Sequence, residues 1–204
     1  GSMDMAGDTQ QHFWMGYAHE KKGMIANAMR EYRTVIDDRP DHRNALLSLA
    51  NLYNAKSQYT EATKLYEQFL RFYPQAEDER FLLGNAYLGG RLYQEAIDVY
   101  SELIPLRPRW AALHGRLGYV YLMAEQPQKA VAAYRQTLAL NPDSSLVRYQ
   151  LTRLYESIGD VETAEKESRA LVAQEPEDPQ YHTSLGDLLV RRYHSEEAAG
   201  QSGP

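Results

Sequence analysis

The sequence predicts an all-α chain of about eleven helices, paired antiparallel in a repeat array. The main observation is a period of 34 residues, which alanine follows at Ala28, Ala62, Ala96, Ala130, Ala164 and Ala198. Proline follows the same period at Pro40, Pro74, Pro108, Pro142 and Pro176. Between these markers, apolar residues are three, four and seven apart, which is the spacing of amphipathic helices. Such units bury their apolar surface mainly against neighbouring units.

The first repeat is expected at residues 9–42, where helical periodicity begins near Thr9. Gly23 separates its two helices. Pro40 ends the second helix, because proline cannot continue a helix and biases the preceding residue away from helical angles. We interpret residues 1–8, which lack hydrophobic periodicity, as the remnant of a cleaved expression tag followed by a flexible leader.

The later repeats follow the same plan. They are expected at residues 43–76, 77–110, 111–144 and 145–178. The fifth is the most degenerate, since Ser168 stands where the other second helices carry tyrosine. Residues 179–193 are expected to form a capping helix that covers the last apolar surface. Residues 194–204 are interpreted as a flexible tail or the truncated start of another repeat.

A column of small residues marks the place where each first helix approaches its partner. It comprises Gly16, Ala50, Gly84, Gly118 and Gly186. We expect each of them to allow close contact between the two helices of a pair.

Composition excludes several classes of function. The chain has 22 Lys and Arg against 28 Asp and Glu, a net charge of −6, which argues against binding driven by nucleic-acid phosphates or anionic lipids. It has no cysteine, and therefore no disulfide, thiolate zinc site or cysteine nucleophile. Its apolar runs are too short for direct membrane insertion by this segment. The compartment stays open between the cytoplasm and the bacterial periplasm.

The sequence predicts no enzyme: no catalytic residue, metal site or cofactor. The six histidines include no pair spaced four apart, and there is no phosphate-binding loop and no nucleophile elbow. Three histidines, His12, His114 and His182, occupy one column of the repeat near the start of the first helix, which indicates a structural role.

The repeat resembles the tetratricopeptide repeat family over about residues 9–193. The residues that carry this resemblance in the third repeat are Leu83, Gly84, Tyr87, Ala96, Tyr100 and Pro108. The resemblance implies a right-handed superhelical solenoid in which the first helix of each pair lines a concave groove. It also implies a non-enzymatic interaction scaffold that binds a peptide segment of a partner protein.

Residues on the first helices but off the core stripe are the candidates for the peptide-binding groove. They are Phe13, Tyr17, Leu47, Asn51, Asn54, Phe81, Asn85, Arg116, Tyr119, Tyr149 and Arg153. Apolar anchors with amide groups suit an extended or short helical peptide. For the aromatic residues, packing between adjacent first helices is an equal alternative. We expect replacement of Asn51 and Asn85 by alanine to weaken partner binding with little effect on stability.

One specialisation of the family is not predicted. Some members hold the C-terminal carboxylates of heat-shock chaperones with a clamp that begins with lysine and asparagine four apart on one first helix. Leu47 and Phe81 stand where that lysine would have to be.

A second hypothesis is kept beside the scaffold. In it, the array is a module of a larger enzyme or of an envelope or secretion assembly, where it orients a neighbouring domain or self-associates.

Overall fold

The computed structural model describes the backbone of residues 2–201 and the side chains of residues 7–198. Over this range the chain is built from eleven α-helices and contains no strand. The helices are α1 (Ser2–Lys21), α2 (Ile25–Asp38), α3 (Arg43–Ala55), α4 (Tyr59–Phe72), α5 (Glu77–Gly89), α6 (Tyr93–Leu103), α7 (Ala111–Met123), α8 (Pro127–Leu140), α9 (Ser145–Ile158), α10 (Val161–Gln174) and α11 (Pro179–Gln201). The predicted all-α class is confirmed.

The helices follow the phase of the sequence period. The first helices after α1 begin at Arg43, Glu77, Ala111, Ser145 and Pro179, which are 34 residues apart. Short turns join the helices, and each helix packs against its neighbours in the chain within a unit.

The two ends differ from the sequence interpretation. Helix α1 begins at Ser2 and not near Thr9, and α11 continues to Gln201, through most of the expected tail. The physical reason is that neither extension contains proline, so an existing helix gains one backbone hydrogen bond for each residue added. Gly1 and residues 202–204 lie outside the described residues.

The chain divides into two compact units, Gly1–Pro105 and Leu106–Pro204. In the first unit, α1 to α6 enclose an apolar core with fully buried Tyr32, Leu46, Leu49, Tyr66 and Phe69. In the second unit, α7 to α11 enclose a core whose buried residues include Ala130, Tyr134, Leu151, Ala164 and Leu188.

In most repeats the small-residue column allows close contact between the two helices of a pair, as predicted. A Cβ built on Gly118 would lie 2.6 Å from Cδ1 of Tyr134, and one on Gly84 would overlap the ring of Tyr100 in the same way. The expectation for Gly186 is wrong, because a Cβ there would meet no atom within 4 Å. The cause is that no second helix follows α11 among the described residues.

The fifth repeat changes both sides of this contact together. Thr152 occupies the small-residue position on α9, and Ser168 occupies the tyrosine position on α10. Both side chains are fully buried. A larger residue on one helix is therefore matched by a smaller one on the other, as close-packed interiors require.

A recurring hydrogen bond closes the turns between repeats. In four turns the proline carbonyl oxygen accepts from a side chain six residues later. The donors are Arg80 to Pro74 (2.6 Å), His114 to Pro108 (2.8 Å), Arg148 to Pro142 (2.9 Å) and His182 to Pro176 (2.8 Å). The structural role predicted for His114 and His182 is confirmed. His12, in the same column, contacts Glu31 at 2.6 Å.

Candidate functional site

In the first unit, the predicted groove residues lie on the first helices α1, α3 and α5. They are Phe13 and Tyr17 on α1, Leu47, Asn51 and Asn54 on α3, and Phe81 and Asn85 on α5. Tyr17 and Asn51 are exposed, and the others are half-buried. This surface is uncharged at the predicted positions, so it offers amide, phenol and apolar groups to a ligand.

Asn51 and Asn85 are held in place by tyrosines of the second helices. The Tyr66 hydroxyl donates to Oδ1 of Asn51 at 2.5 Å, and the Tyr100 hydroxyl donates to Oδ1 of Asn85 at 2.8 Å. Both tyrosine rings are buried. Within the described residues, Nδ2 of each asparagine makes no hydrogen bond. Each side chain therefore keeps two fixed, unused N–H donors.

The aromatic members of the column pack inward on the tyrosines of their own repeats. The Phe13 ring lies 5.9 Å from that of Tyr32, and the Phe81 ring lies 5.5 Å from that of Tyr100, measured between centroids. These two rings contribute to the core as well as to the surface. The packing alternative kept in the sequence analysis placed these rings between adjacent first helices. Contacts of that kind occur as well: the Phe13 ring lies 5.1 Å from that of His42, the N-cap residue of α3, and in the second unit Tyr149 of α9 packs on Tyr181 of α11.

Two features of the first unit were not predicted. Trp14 is 55% exposed and contacts the rings of Phe13 and Tyr17 edge-on, extending the aromatic surface of α1. Its position in the repeat is the one that Arg116 occupies in the fourth repeat, so the column could have identified it. Asn54 has a buried Oδ1 with no hydrogen-bond partner in the described part of the chain.

In the second unit, a cleft of about 390 Å³ lies between α7 and α9, with α8 beneath it. We call it the α7–α9 cleft. It is lined by Ala112, Gly115, Arg116, Tyr119, Tyr134, Leu146, Val147 and Gln150. The sequence analysis selected Arg116 and Tyr119, and the structure brings them together with six residues that it did not select.

The other predicted residues of the second unit do not line the cleft. The Tyr149 ring packs on Tyr181, with centroids 5.8 Å apart, and its hydroxyl accepts from Nε2 of Gln180 at 3.1 Å. Arg153 forms an ion pair with Glu156 at 3.8 Å.

Tyr134 differs from its counterparts in the first unit. Tyr119 stands where Asn51 and Asn85 stand in their repeats, so it offers no amide oxygen. The Tyr134 hydroxyl therefore makes no hydrogen bond within the described residues, although only 2% of the residue is exposed. Tyr134 is one of the residues that line the α7–α9 cleft.

Burial raises the pKa values of Tyr66 and Tyr134 from 10 to about 12. The folded state thus prefers the neutral phenols. The stabilisation that the neutral phenols give to the folded state is complete below pH 10 and is lost as the pH rises towards 12.

We expect the free energy of unfolding, measured by chemical denaturation over a pH series, to fall across this range. The free energy of unfolding of the Tyr134→Phe variant should fall less steeply, because one of the two phenols is absent. A free energy that stayed constant above pH 10 would contradict this assignment.

Among the described residues, no group of three or more His, Asp or Glu could hold a metal ion. No helix in the same part of the chain is long and apolar enough to cross a membrane.

Sequence models described as tetratricopeptide repeat match residues 15–77, 55–111, 81–145 and 121–188. No curated protein sequence matches the chain.

Several solved structures share the fold. A MamA protein is 24% identical, with a TM-score of 0.77 over 85% of this chain and 94% of that one. MamA from Desulfovibrio magneticus RS-1 is 17% identical, with a TM-score of 0.75 over 84% and 97% of the two chains. YrrB, described as a TPR protein with an unusual peptide-binding site, is 21% identical, with a TM-score of 0.65 over 82% and 86%.

Proposed function

The chain belongs to the tetratricopeptide repeat family, and on that premise we propose that it binds a peptide segment of a partner protein along its first helices. The family supports a general role as a protein–protein interaction scaffold. The finer proposal is that Asn51 and Asn85 contact the main chain of the peptide and that neighbouring apolar groups hold its side chains.

The observation that carries this proposal is the state of the two asparagine amides. Each Oδ1 accepts from a buried tyrosine hydroxyl, which orients the amide and leaves its N–H donors unused within the described residues. Asparagine by itself contributes little to the stability of a helix interior, so its presence there suggests another role. A peptide main chain offers one carbonyl acceptor per residue, so donors repeated on successive first helices suit an extended segment.

The tyrosine hydrogen bonds change the choice of test variant. Replacing Asn51 or Asn85 by alanine removes the acceptor of a buried hydroxyl, at a cost of about 1–3 kcal/mol for each. The expectation from sequence that these exchanges have little effect on stability is therefore revised. Aspartate is the better replacement, because it keeps Oδ1 as an acceptor for the tyrosine hydroxyl. It removes the N–H donors and adds one negative charge.

We expect the double variant Asn51→Asp, Asn85→Asp to bind peptides selected from a displayed random library about tenfold more weakly than the parent. Two hydrogen bonds of about 0.5–1.5 kcal/mol each are lost. Fluorescence anisotropy with the selected peptides measures the affinity, and chemical denaturation checks that the fold is kept. Asn27→Asp adds one negative charge on the second helix α2 and serves as the control for the charge that each single exchange, Asn51→Asp or Asn85→Asp, adds. Unchanged affinity in the folded double variant would argue against the asparagines as ligand contacts.

A further inference from the structure

We propose that the α7–α9 cleft binds one large apolar side chain of a peptide together with an adjacent carboxylate. This inference rests on the proposed function, because it specifies the ligand chemistry of one subsite on the first helices of the second unit. It commits to an acidic and apolar peptide segment as the occupant.

The cleft exists because one side chain is missing. Four other first helices carry Phe13, Leu47, Phe81 or Tyr149 at the position that Gly115 occupies on α7, and α11 carries Thr183 there. A Cβ built on Gly115 would lie 3.6 Å from Cγ2 of Thr137, which is an ordinary contact, so close helix packing does not require glycine there. The space that a large residue takes in the other repeats is open in this one.

The walls of the cleft suit an apolar group. Leu146 is 68% exposed, and Val147 and Ala112 lie beside it in the lining. Ligand pockets occupy roughly 300–1,000 Å³, so a cleft of about 390 Å³ is at the low end of that range. This volume fits one or two side chains of a longer ligand. A leucine or phenylalanine that covered Leu146 would remove two apolar groups from water at once.

Every polar side chain in the lining of the cleft can donate a hydrogen bond. Arg116 is exposed and makes no ion pair or hydrogen bond within the described residues. Tyr134 is 2% exposed as a residue, and its hydroxyl makes no hydrogen bond within the described residues. Gln150 supplies an amide. Burial raises the pKa of Tyr134 to about 12, so its hydroxyl keeps its proton at neutral pH.

The charge of the cleft selects the sign of the ligand. Arg116 is the one charged residue in the lining, and no carboxylate of the described residues contributes to it. A guanidinium and a phenol that share a partly enclosed space match the oxygens of a carboxylate. A lysine or arginine side chain of a peptide would instead be repelled by Arg116.

The test is selection of a random peptide library on the folded chain, followed by affinity measurement of the selected peptides on variants. We expect selected peptides to contain leucine, phenylalanine or a similar residue next to aspartate or glutamate. Gly115→Leu should weaken their binding at least about tenfold, because the new side chain occupies the subsite of the apolar anchor.

Two further variants separate the polar contacts. Arg116→Ala should weaken binding and reduce its dependence on salt, since an ionic contact is lost. Tyr134→Phe should weaken binding a few-fold without lowering stability, because it removes only the hydroxyl.

Ala132→Leu adds an exposed leucine on α8 and is the control for Gly115→Leu. If Gly115→Leu does not fold, Gly115→Ala fills part of the cleft without a clash and is expected to weaken binding by a smaller factor.

The outcomes separate this inference from the proposed function. Peptides that bind the parent and folded Gly115→Leu equally, or that are enriched in basic residues, would overturn the acidic and apolar subsite. The proposed function would then still be decided by the aspartate variants at Asn51 and Asn85. A selection that yields no peptide at all would contradict both.

Discussion

Tyr100→Ala is expected to lower the free energy of unfolding by roughly 3–5 kcal/mol, the range for removing a large aromatic side chain from a core. Tyr100 is fully buried on α6 and fills the space opposite Gly84. Its ring packs on Phe81, and its hydroxyl donates to Asn85. The exchange removes all of these contacts and leaves a cavity between two helices. Chemical denaturation of the parent and the variant measures the difference.

Two tyrosine-to-phenylalanine variants separate the contribution of the hydroxyl hydrogen bond from that of the ring. Tyr100→Phe keeps the ring and loses the hydrogen bond to Asn85, so about 0.5–1.5 kcal/mol is expected. Tyr134→Phe removes a hydroxyl that has no partner within the described residues, so little change is expected. If Tyr100→Phe were as costly as Tyr100→Ala, ring packing would not be the main source of stability.

Gly118→Ala is expected to lower the free energy of unfolding by roughly 1–3 kcal/mol, the usual cost of overpacking. The new Cβ would lie 2.6 Å from Cδ1 of Tyr134, whose ring is buried and cannot turn away into solvent. The second repeat carries an alanine, Ala50, at the same position, and it is fully buried between its helices. Thermal and chemical unfolding both report the loss.

Gly186→Ala is the matched control, because Gly186 occupies the same column in the same unit. Nothing lies within 4 Å of its added Cβ, so only helix propensity changes. Alanine should then stabilise α11 by up to about 1 kcal/mol. Equal effects at Gly118 and Gly186 would refute the role of the tyrosine ring.

The fold could be predicted because its determinants repeat. The alanine and proline columns and the spacing of apolar residues are local features of the sequence, and they set the phase of every helix pair. Gly186 was misread because a column gives the type of residue at each position but not whether a second helix follows it. The ends were misread because helix propagation requires no apolar periodicity.

The candidate site was predicted less completely. The position of Asn51 and Asn85 in the column was enough to select them, but their hydrogen bonds to Tyr66 and Tyr100 depend on distances between two helices. The α7–α9 cleft depends on what Gly115 lacks. Its walls, such as Leu146, come from a neighbouring helix, so no pattern within one helix identifies them.

The hydrogen bond that Pro74, Pro108, Pro142 and Pro176 each accept from a side chain six residues later has a consequence for how the array can grow. Donor and acceptor lie within one stretch of seven residues, so neither depends on a distant part of the chain. A gene duplication or deletion whose boundary falls just before such a proline carries the contact over intact. This one contact is therefore copied or lost together with its segment, whereas the bonds of Arg80 to Glu102 and of Arg148 to Glu167 also require the second helix of the same repeat.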